Sequence, residues 1–318
     1  MTDPSPETHA RFETLIAACA ALAPLPMAIV HPCDALSMAG AMAAARRDLI
    51  RPILVGPQAR LRAAAAQAGV DIAGVEIVDT PHSHASAERA VALVREGRAD
   101  ALMKGSLHTD EVMAAVVARD TGLRTERRIS HCFVMEVPRR PQALILTDAA
   151  INIAPTLADK VDIVQNAIDL AHALGIAEPR VAILSAMETV NPKLPSTIEA
   201  AALCKMAERG QITGGLLDGP LALDNAIDPE AAAVKKIVSP VAGRANILVV
   251  PDLEAGNMLA KSLSFLAGAD AAGIVLGARV PIVLTSRADS EISRLVSCGV
   301  AVLVAEARRR KAARAAAG

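Results

Sequence analysis

Apolar and polar positions along the chain follow two alternating periods. Short, nearly continuous apolar runs recur, separated by longer stretches with apolar residues three and four apart. The short runs read as buried strands at Met27–Val30, Pro52–Val55, Val75–Val78 and Ala99–Met103. The longer stretches read as helices over His9–Leu22, Ala35–Arg46, Gln58–Ala68 and His84–Glu96. Strands separated by helices predict βαβ units and a mainly parallel sheet. Ligands of such sheets bind beyond the carboxyl ends of the strands, so the residues just after each strand carry most of the functional information.

The texture changes near Arg124, Arg127 and Arg128. Two adjacent strands follow, Ile129–Val137 and Gln142–Thr147, around Pro138-Arg139-Arg140-Pro141, which predicts antiparallel pairing at the entry to a second domain. The alternation then resumes with a helix at Leu157–Leu174, a strand at Arg180–Leu184 and a helix at Ser196–Arg209. A strand near Gly214–Leu217, a buried strand at Ala245–Val250 and a helix at Ala255–Leu266 come next. Two closely spaced strands, Ala272–Leu276 and Val280–Leu284, lead to a final helix over about Ser290–Arg308.

Composition narrows the function classes. A chain of 318 residues predicts two domains of roughly 150 residues each. With 53% hydrophobic and 21% charged residues it has ample material for a core, and a net charge of −1 supplies no field for nucleic acid or an anionic membrane. There is no Trp or Tyr and there are three Phe, so no aromatic platform exists for stacking single-stranded bases. The five cysteines are odd in number, without C-x-x-C spacing, and the seven histidines form no ligand pair. Neither a disulfide framework nor a zinc site is expected, and a reduced cytoplasm fits. The apolar run Leu15–Val30 is broken by Pro24 and Pro26 and preceded by acidic residues, so neither a signal peptide nor a membrane span is expected. The basic end Arg308-Arg309-Arg310-Lys311 is the cationic complement of a helix C-terminus.

Several loops after strands carry groups suited to anion chemistry. Lys104-Gly105-Ser106-Leu107-His108-Thr109 joins a strand to a helix with an ammonium, a flexible Gly and two hydroxyls. That set suits a phosphate, with backbone N–H donors at the helix start; Gly-Ser after a strand is also ordinary turn chemistry. It is not a P-loop. Thr147-Asp148-Ala149-Ala150-Ile151-Asn152 places a carboxylate and an amide four apart, able either to orient a substrate or to close an Asx-type turn. Asn191-Pro192-Lys193-Leu194-Pro195 is a proline-held turn bearing one of only eight lysines. Asp218-Gly219-Pro220 through Asp224 reads as a turn with two carboxylates but no third ligand for a metal. Asp252, Glu254, Gly256 and Asn257 cluster after the buried strand, with Lys261 one turn on. Ser286-Arg287-Ala288-Asp289-Ser290 places a hydroxyl, a guanidinium and a carboxylate at the start of the last helix. An anion is favoured there by the free N–H groups and the dipole. Asp289 or Ser290 acting simply as the N-cap is the competing reading.

Taken in order, MKGSLHT (Met103–Thr109), TDAAINIAP (Thr147–Pro155), NPKLPST (Asn191–Thr197), DGPLALDNAI (Asp218–Ile227), PDLEAGN (Pro251–Asn257) and TSRADS (Thr285–Ser290) resemble the phosphate acetyl/butyryltransferase family. The likeness runs from about Ala28 to Val302, and MKGSLHT, TDAAINIAP and SRADS resemble the butyryltransferase branch in particular. The resemblance implies a two-domain α/β/α fold of the isocitrate/isopropylmalate dehydrogenase type, with mainly parallel sheets and the active site in the interdomain cleft. It implies a discontinuous first domain, 1–128 plus 285–318, a second domain of 129–284, and homodimers. The implied reaction is reversible transfer of a short acyl group, acetyl to butyryl, between coenzyme A and inorganic phosphate through acyl phosphate. Acyl-CoA is then a substrate, with no permanently bound cofactor, no metal and no covalent intermediate.

By the same resemblance Arg287 is the phosphate ligand, Ser286 a hydrogen-bond partner of the reacting centre, and Asp289 a candidate base. Lys104, Gly105, Ser106 and Thr109 extend the anion site, and Asp148, Asn152, Lys193, Asp252, Glu254, Gly256, Asn257 and Lys261 complete the expected substrate-binding set. Two departures stand out. The acetyltransferase branch has an Asp seven residues beyond the Ser of Ser-Arg, where this chain has Ser293, so the base assignment is open, with Asp289 and Glu291 the nearby carboxylates. It also has an Arg where this chain has Ala114. The alternatives are an isocitrate-type dehydrogenase or related oxidoreductase, for which Asp218 and Asp224 are the only suggestive metal pair, and a non-catalytic sensor of coenzyme A or acyl phosphate.

Overall fold

The computed structural model describes residues 10–317 except 139, 141 and 286–288. The chain divides into two compact units, Met1–Arg127 with Ala272–Gly318, and Arg128–Ala271.

The first unit begins with α1 (Ala10–Cys19), β1 (Leu25–Val30), α2 (Ala35–Arg46), β2 (Ile50–Gly56) and α3 (Gln58–Ala68). It continues with β3 (Glu76–Asp79), α4 (Ser83–Arg95), β4 (Ala101–Lys104) and α5 (Thr109–Val117). β1 lies between β2 and β4, both parallel to it, and β3 extends the sheet beyond β2. β1 and β4 are buried almost throughout, which is why their sequences read as continuous apolar runs rather than as alternation.

The second unit comprises β5 (Ser130–Glu136), β6 (Leu144–Thr147), α6 (Leu157–Ala173), β7 (Arg180–Leu184) and α7 (Pro195–Glu208). It ends with β8 (Leu216–Leu221), α8 (Leu223–Ile227), α9 (Pro229–Val234), β9 (Ile247–Val249) and α10 (Leu253–Ala267). Its strands run in the order β5-β6-β9-β7-β8. β5 and β6 are antiparallel, as their spacing predicts, and the others are parallel. Residues 218–221 belong to β8 rather than to the expected turn. Gly219 and Pro220 are tolerated because β8 is the last strand of this order and its register against β7 shifts between Ala182 and Leu184.

The chain then forms β10 (Asp270–Leu276), β11 (Ile282–Val283) and α11 (Glu291–Ala317). β11 pairs antiparallel with β10 and parallel with β4. That pairing returns the chain to the first unit at Ala272, ahead of the 285 expected from the motifs. α11 packs on α1 and α2 and against β4 and β11, so residues 293–301 are buried all round. Among the described residues no helix is long and apolar enough to cross a membrane.

Candidate active site

β4 and β11 run side by side, with Leu102 opposite Ile282 and Met103 opposite Val283. Their carboxyl ends therefore bring Lys104-Gly105 and Thr285 to one edge, where a cavity of about 380 Å³ is lined by these three together with Asp34, Ser37 and Arg294. Two of the six expected motifs, distant in sequence, thus share a wall.

Lys104 is 6% exposed. Its Nζ donates to Gly105 O at 3.2 Å and Leu107 O at 3.1 Å, partners that offset the cost of burying an ammonium. Gly105 is required by close approach, because a Cβ there would run into the Val30 and His31 backbone. The Ser106 hydroxyl donates to His31 O at 2.8 Å and accepts from Cys33 N at 3.0 Å, tying this loop to the end of β1. Ser106 is therefore a staple of the loop. Thr109, half-buried, is the first residue of α5, and Glu111 closes that turn by accepting from His108 N at 2.8 Å.

On the other side of the cavity, Asp34 caps α2 by accepting from Ser37 N at 2.7 Å. Arg294 is 3% exposed and donates from Nη1 to Thr285 Oγ1 at 2.9 Å. Burial pulls its guanidinium below the ordinary value, while the charges of Asp289 and Asp34 push the other way. Ser290 provides the hydroxyl cap of α11, accepting from Ser293 N at 3.2 Å, and its Oγ lies 3.0 Å from Ser293 Oγ. Ser293 is thus buried and engaged by the cap. Asp289 is half-buried and Glu291 exposed. Ser286 and Arg287 lie outside the described residues.

The expected residues of the second unit are engaged differently. Asp148, 3% exposed, accepts from Ala150 N and Ile151 N, each at 3.0 Å, and from Asn152 N at 3.2 Å and Nδ2 at 2.6 Å. Asn152 Nδ2 also donates to Ile129 O at 2.9 Å, and its Oδ1 accepts from Arg128 Nε at 2.7 Å. The Asx-type turn is the arrangement found at Asp148, while Asn152 also ties the loop to residues 128 and 129 ahead of β5. Lys193 is exposed on a turn braced by Thr197, whose hydroxyl donates to Leu194 O at 2.8 Å and accepts from Asn191 N at 2.9 Å. Asp252 is the N-cap of α10, accepting from Ala255 N at 2.9 Å. Glu254 and Lys261 are exposed. Gly256 permits α10 to approach the preceding loop, since a Cβ would stand 2.9 Å from Asp148 O, and Asn257 donates to Ala149 O at 3.3 Å. Asp218 accepts from the next N–H at 2.8 Å, and Asp224 is exposed in the first turn of α8.

Sequence reasoning missed Asp34, Ser37 and Arg294. Asp34 lies in the short loop after β1, so the strand-end rule would have found it. Arg294 had no such signal, because it is a charged residue between the apolar positions Ile292, Leu295 and Val296 of the last helix.

Comparison with known proteins gives a consistent answer. Residues 82–302 match the family model described as phosphate acetyl/butaryl transferase. The chain is 66% identical over 304 residues to a phosphate acetyltransferase of Rhizobium meliloti, covering 96% of each. It is 43% identical over 262 residues to a phosphate butyryltransferase of Clostridium acetobutylicum, covering 82% of this chain and 87% of that one. The crystal structure of a branched-chain phosphotransacylase from Enterococcus faecalis V583 superposes with a TM-score of 0.77 at 32% identity, covering 88% of this chain and 99% of that one.

Proposed function

The chain belongs to the phosphate acetyl/butyryltransferase family, and from that membership we propose how its residues move an acyl group between coenzyme A and inorganic phosphate. It is an acyltransferase. Acetyl is the acyl group we assign within the acetyl-to-butyryl range, supported by the higher identity to the acetyltransferase relative.

Toward acyl-CoA, the coenzyme A thiol must lose its proton, and a thiol of this kind titrates at about 8.5. Asp289 or Glu291 takes that proton. The thiolate attacks the carbonyl carbon of the acyl phosphate, a C–S bond forms, and the bond to the phosphate oxygen breaks. Arg287 holds the leaving phosphate through paired N–H donors, and Ser286 donates a hydrogen bond at the reacting centre. Lys104 adds positive charge to the same anion. In reverse, a phosphate oxygen attacks the thioester and the thiolate leaves. Acyl-CoA, phosphate and acyl phosphate are the substrates, and no further cofactor enters the scheme.

The observation that carries this reading is the cavity in which buried Lys104 and Gly105 meet Thr285, the residue just before Ser286-Arg287. The test is release of free thiol by purified protein from acetyl-CoA, propionyl-CoA or butyryl-CoA with phosphate and no added metal. Thiol release, fastest with acetyl-CoA, is expected. A folded protein that releases none from any of the three would not be a transferase, and NAD(P) reduction with a hydroxy acid would replace it with the dehydrogenase reading.

We also propose a homodimer. α10 leaves Met258 62%, Phe265 77% and Leu266 86% exposed, seven and eight residues apart and so on one helical face. Light scattering of Phe265→Glu, expected to be monomeric against a dimeric wild type, tests it. A cytoplasmic location is supported by the five free cysteines.

A further inference from the structure

Arg294 is the buried cation of the cavity that no motif assigns. Its position is built rather than incidental. The stem crosses α2 at Gly40, where a Cβ would come within 2.8 Å of Arg294 Cδ and 3.3 Å of its Cβ. Any larger residue at position 40 would displace that stem. The head then reaches the cavity and donates to Thr285 Oγ1 at 2.9 Å, between two side chains that are 3% and 2% exposed. A charge-assisted hydrogen bond shielded from water is stronger and more directional than one on the surface.

We propose that Arg294 is a positioning residue of the transfer reaction. From α11 it fixes the Thr285 hydroxyl and the end of β11, so the cavity wall shared with Lys104 keeps one geometry toward the phosphoryl group. The inference rests on the acyltransferase reading above. Arg294 acts through Thr285, and its chemistry is directed at the phosphate-bearing substrate rather than at coenzyme A. Lys104 meets that substrate from the β4 side, with its ammonium held by backbone carbonyls.

The test is steady-state kinetics of Arg294→Met, Thr285→Val, the double variant, Arg294→Lys and Gly40→Ala, with acetyl phosphate and coenzyme A varied separately. Arg294→Met is expected to lower kcat/KM for acetyl phosphate at least 30-fold while KM for coenzyme A stays within threefold. Thr285→Val should show the same split. The double variant should be no worse than Arg294→Met by more than threefold, because both changes remove one contact. Arg294→Lys should recover part of the loss, and Gly40→Ala should show a smaller loss with the same split.

Losses that multiply in the double variant would overturn the proposal. So would equal effects on both substrates, or a lower kcat with both KM values unchanged. If Arg294→Met does not fold, wild-type kinetics in Thr285→Val overturns it. An active wild type with unaffected variants removes this inference alone, whereas an inactive wild type removes the acyltransferase reading with it.

Discussion

Asn152 donates its Nδ2 to Asp148 Oδ2 at 2.6 Å, and this pair braces the loop that follows β6. The carboxylate already receives three backbone N–H groups. Removing it would leave several buried donors unsatisfied at roughly 1–3 kcal/mol each. Asp148→Ala is therefore expected to lose about 3 kcal/mol or more of stability, measured by urea denaturation. Asn152→Asp, which sets a second carboxylate against the first, should fall in the same direction. Wild-type stability in both, with activity alone lost, would return the pair to substrate binding.

Lys104 is buried as these residues are, but unlike them it lines the cavity. A charged hydrogen bond contributes about 1.5–3 kcal/mol, which corresponds to roughly 10- to 150-fold in rate. Lys104→Met is expected to lower kcat/KM for acetyl phosphate within that range, and Arg287→Ala at least as much. Asp224→Ala, at an exposed position in the first turn of α8, should remain within twofold of wild type. Loss in Asp224→Ala comparable with Lys104→Met would redirect attention to the second unit.

Much of the fold was legible because a strand buried on both faces writes an apolar run, and β1 and β4 do so without ambiguity. The loops after them were legible as chemistry, since Lys104 and the TSRADS stretch carry groups that a turn alone does not need. What those groups contact was not legible. Ser106 is the same residue in sequence with or without its bonds to His31 O and from Cys33 N, and only the packing of β1 beside β4 reveals those contacts. Asp148 and Asn152 were open for the same reason. β8 was cut short because Asp218-Gly219-Pro220 is turn chemistry everywhere except on a strand at the end of a sheet order. Arg294 was invisible because α11 is covered on all sides over residues 293–301, so even a charged position between its apolar residues lies inside.

The base question has a direct test. Ser293, at the offset where the resemblance places an Asp of the acetyltransferase branch, is drawn into the Ser290 cap, and Asp289 and Glu291 are the neighbouring carboxylates. Asp289 is half-buried and its charge bears on Arg294, whereas Glu291 is exposed. Asp289→Asn is expected to lower kcat in the thiol-consuming direction roughly 100-fold, within the usual range for a general base. Glu291→Gln should stay near wild type. Because the base is needed only while the thiol is protonated, raising the pH toward the thiol value should recover much of the Asp289→Asn loss. Wild-type rates in Asp289→Asn would remove it from the role.

Asp159 gives a stability test that is independent of the reaction. It receives Thr156 N at 3.0 Å and Thr156 Oγ1 at 2.8 Å, while Thr156 Oγ1 accepts from Asp159 N at 3.2 Å, closing the first turn of α6. Arg128 adds an ion pair at 3.3 Å. The backbone hydrogen bond from Thr156, with smaller contributions from its hydroxyl and Arg128, holds the carboxyl below its ordinary 3.8. A depressed folded-state value means that stability is present above 3.8 and is lost as the pH falls through the folded-state value. Asp159→Asn is expected to cost about 1 kcal/mol at neutral pH, the usual scale for a helix-start interaction. The gap from wild type should close as the pH drops below 3.8, since the protonated acid then resembles the amide. Chemical denaturation of both proteins between neutral pH and the acid limit of folding measures the gap, and a constant difference across that range would remove the carboxylate charge as its origin.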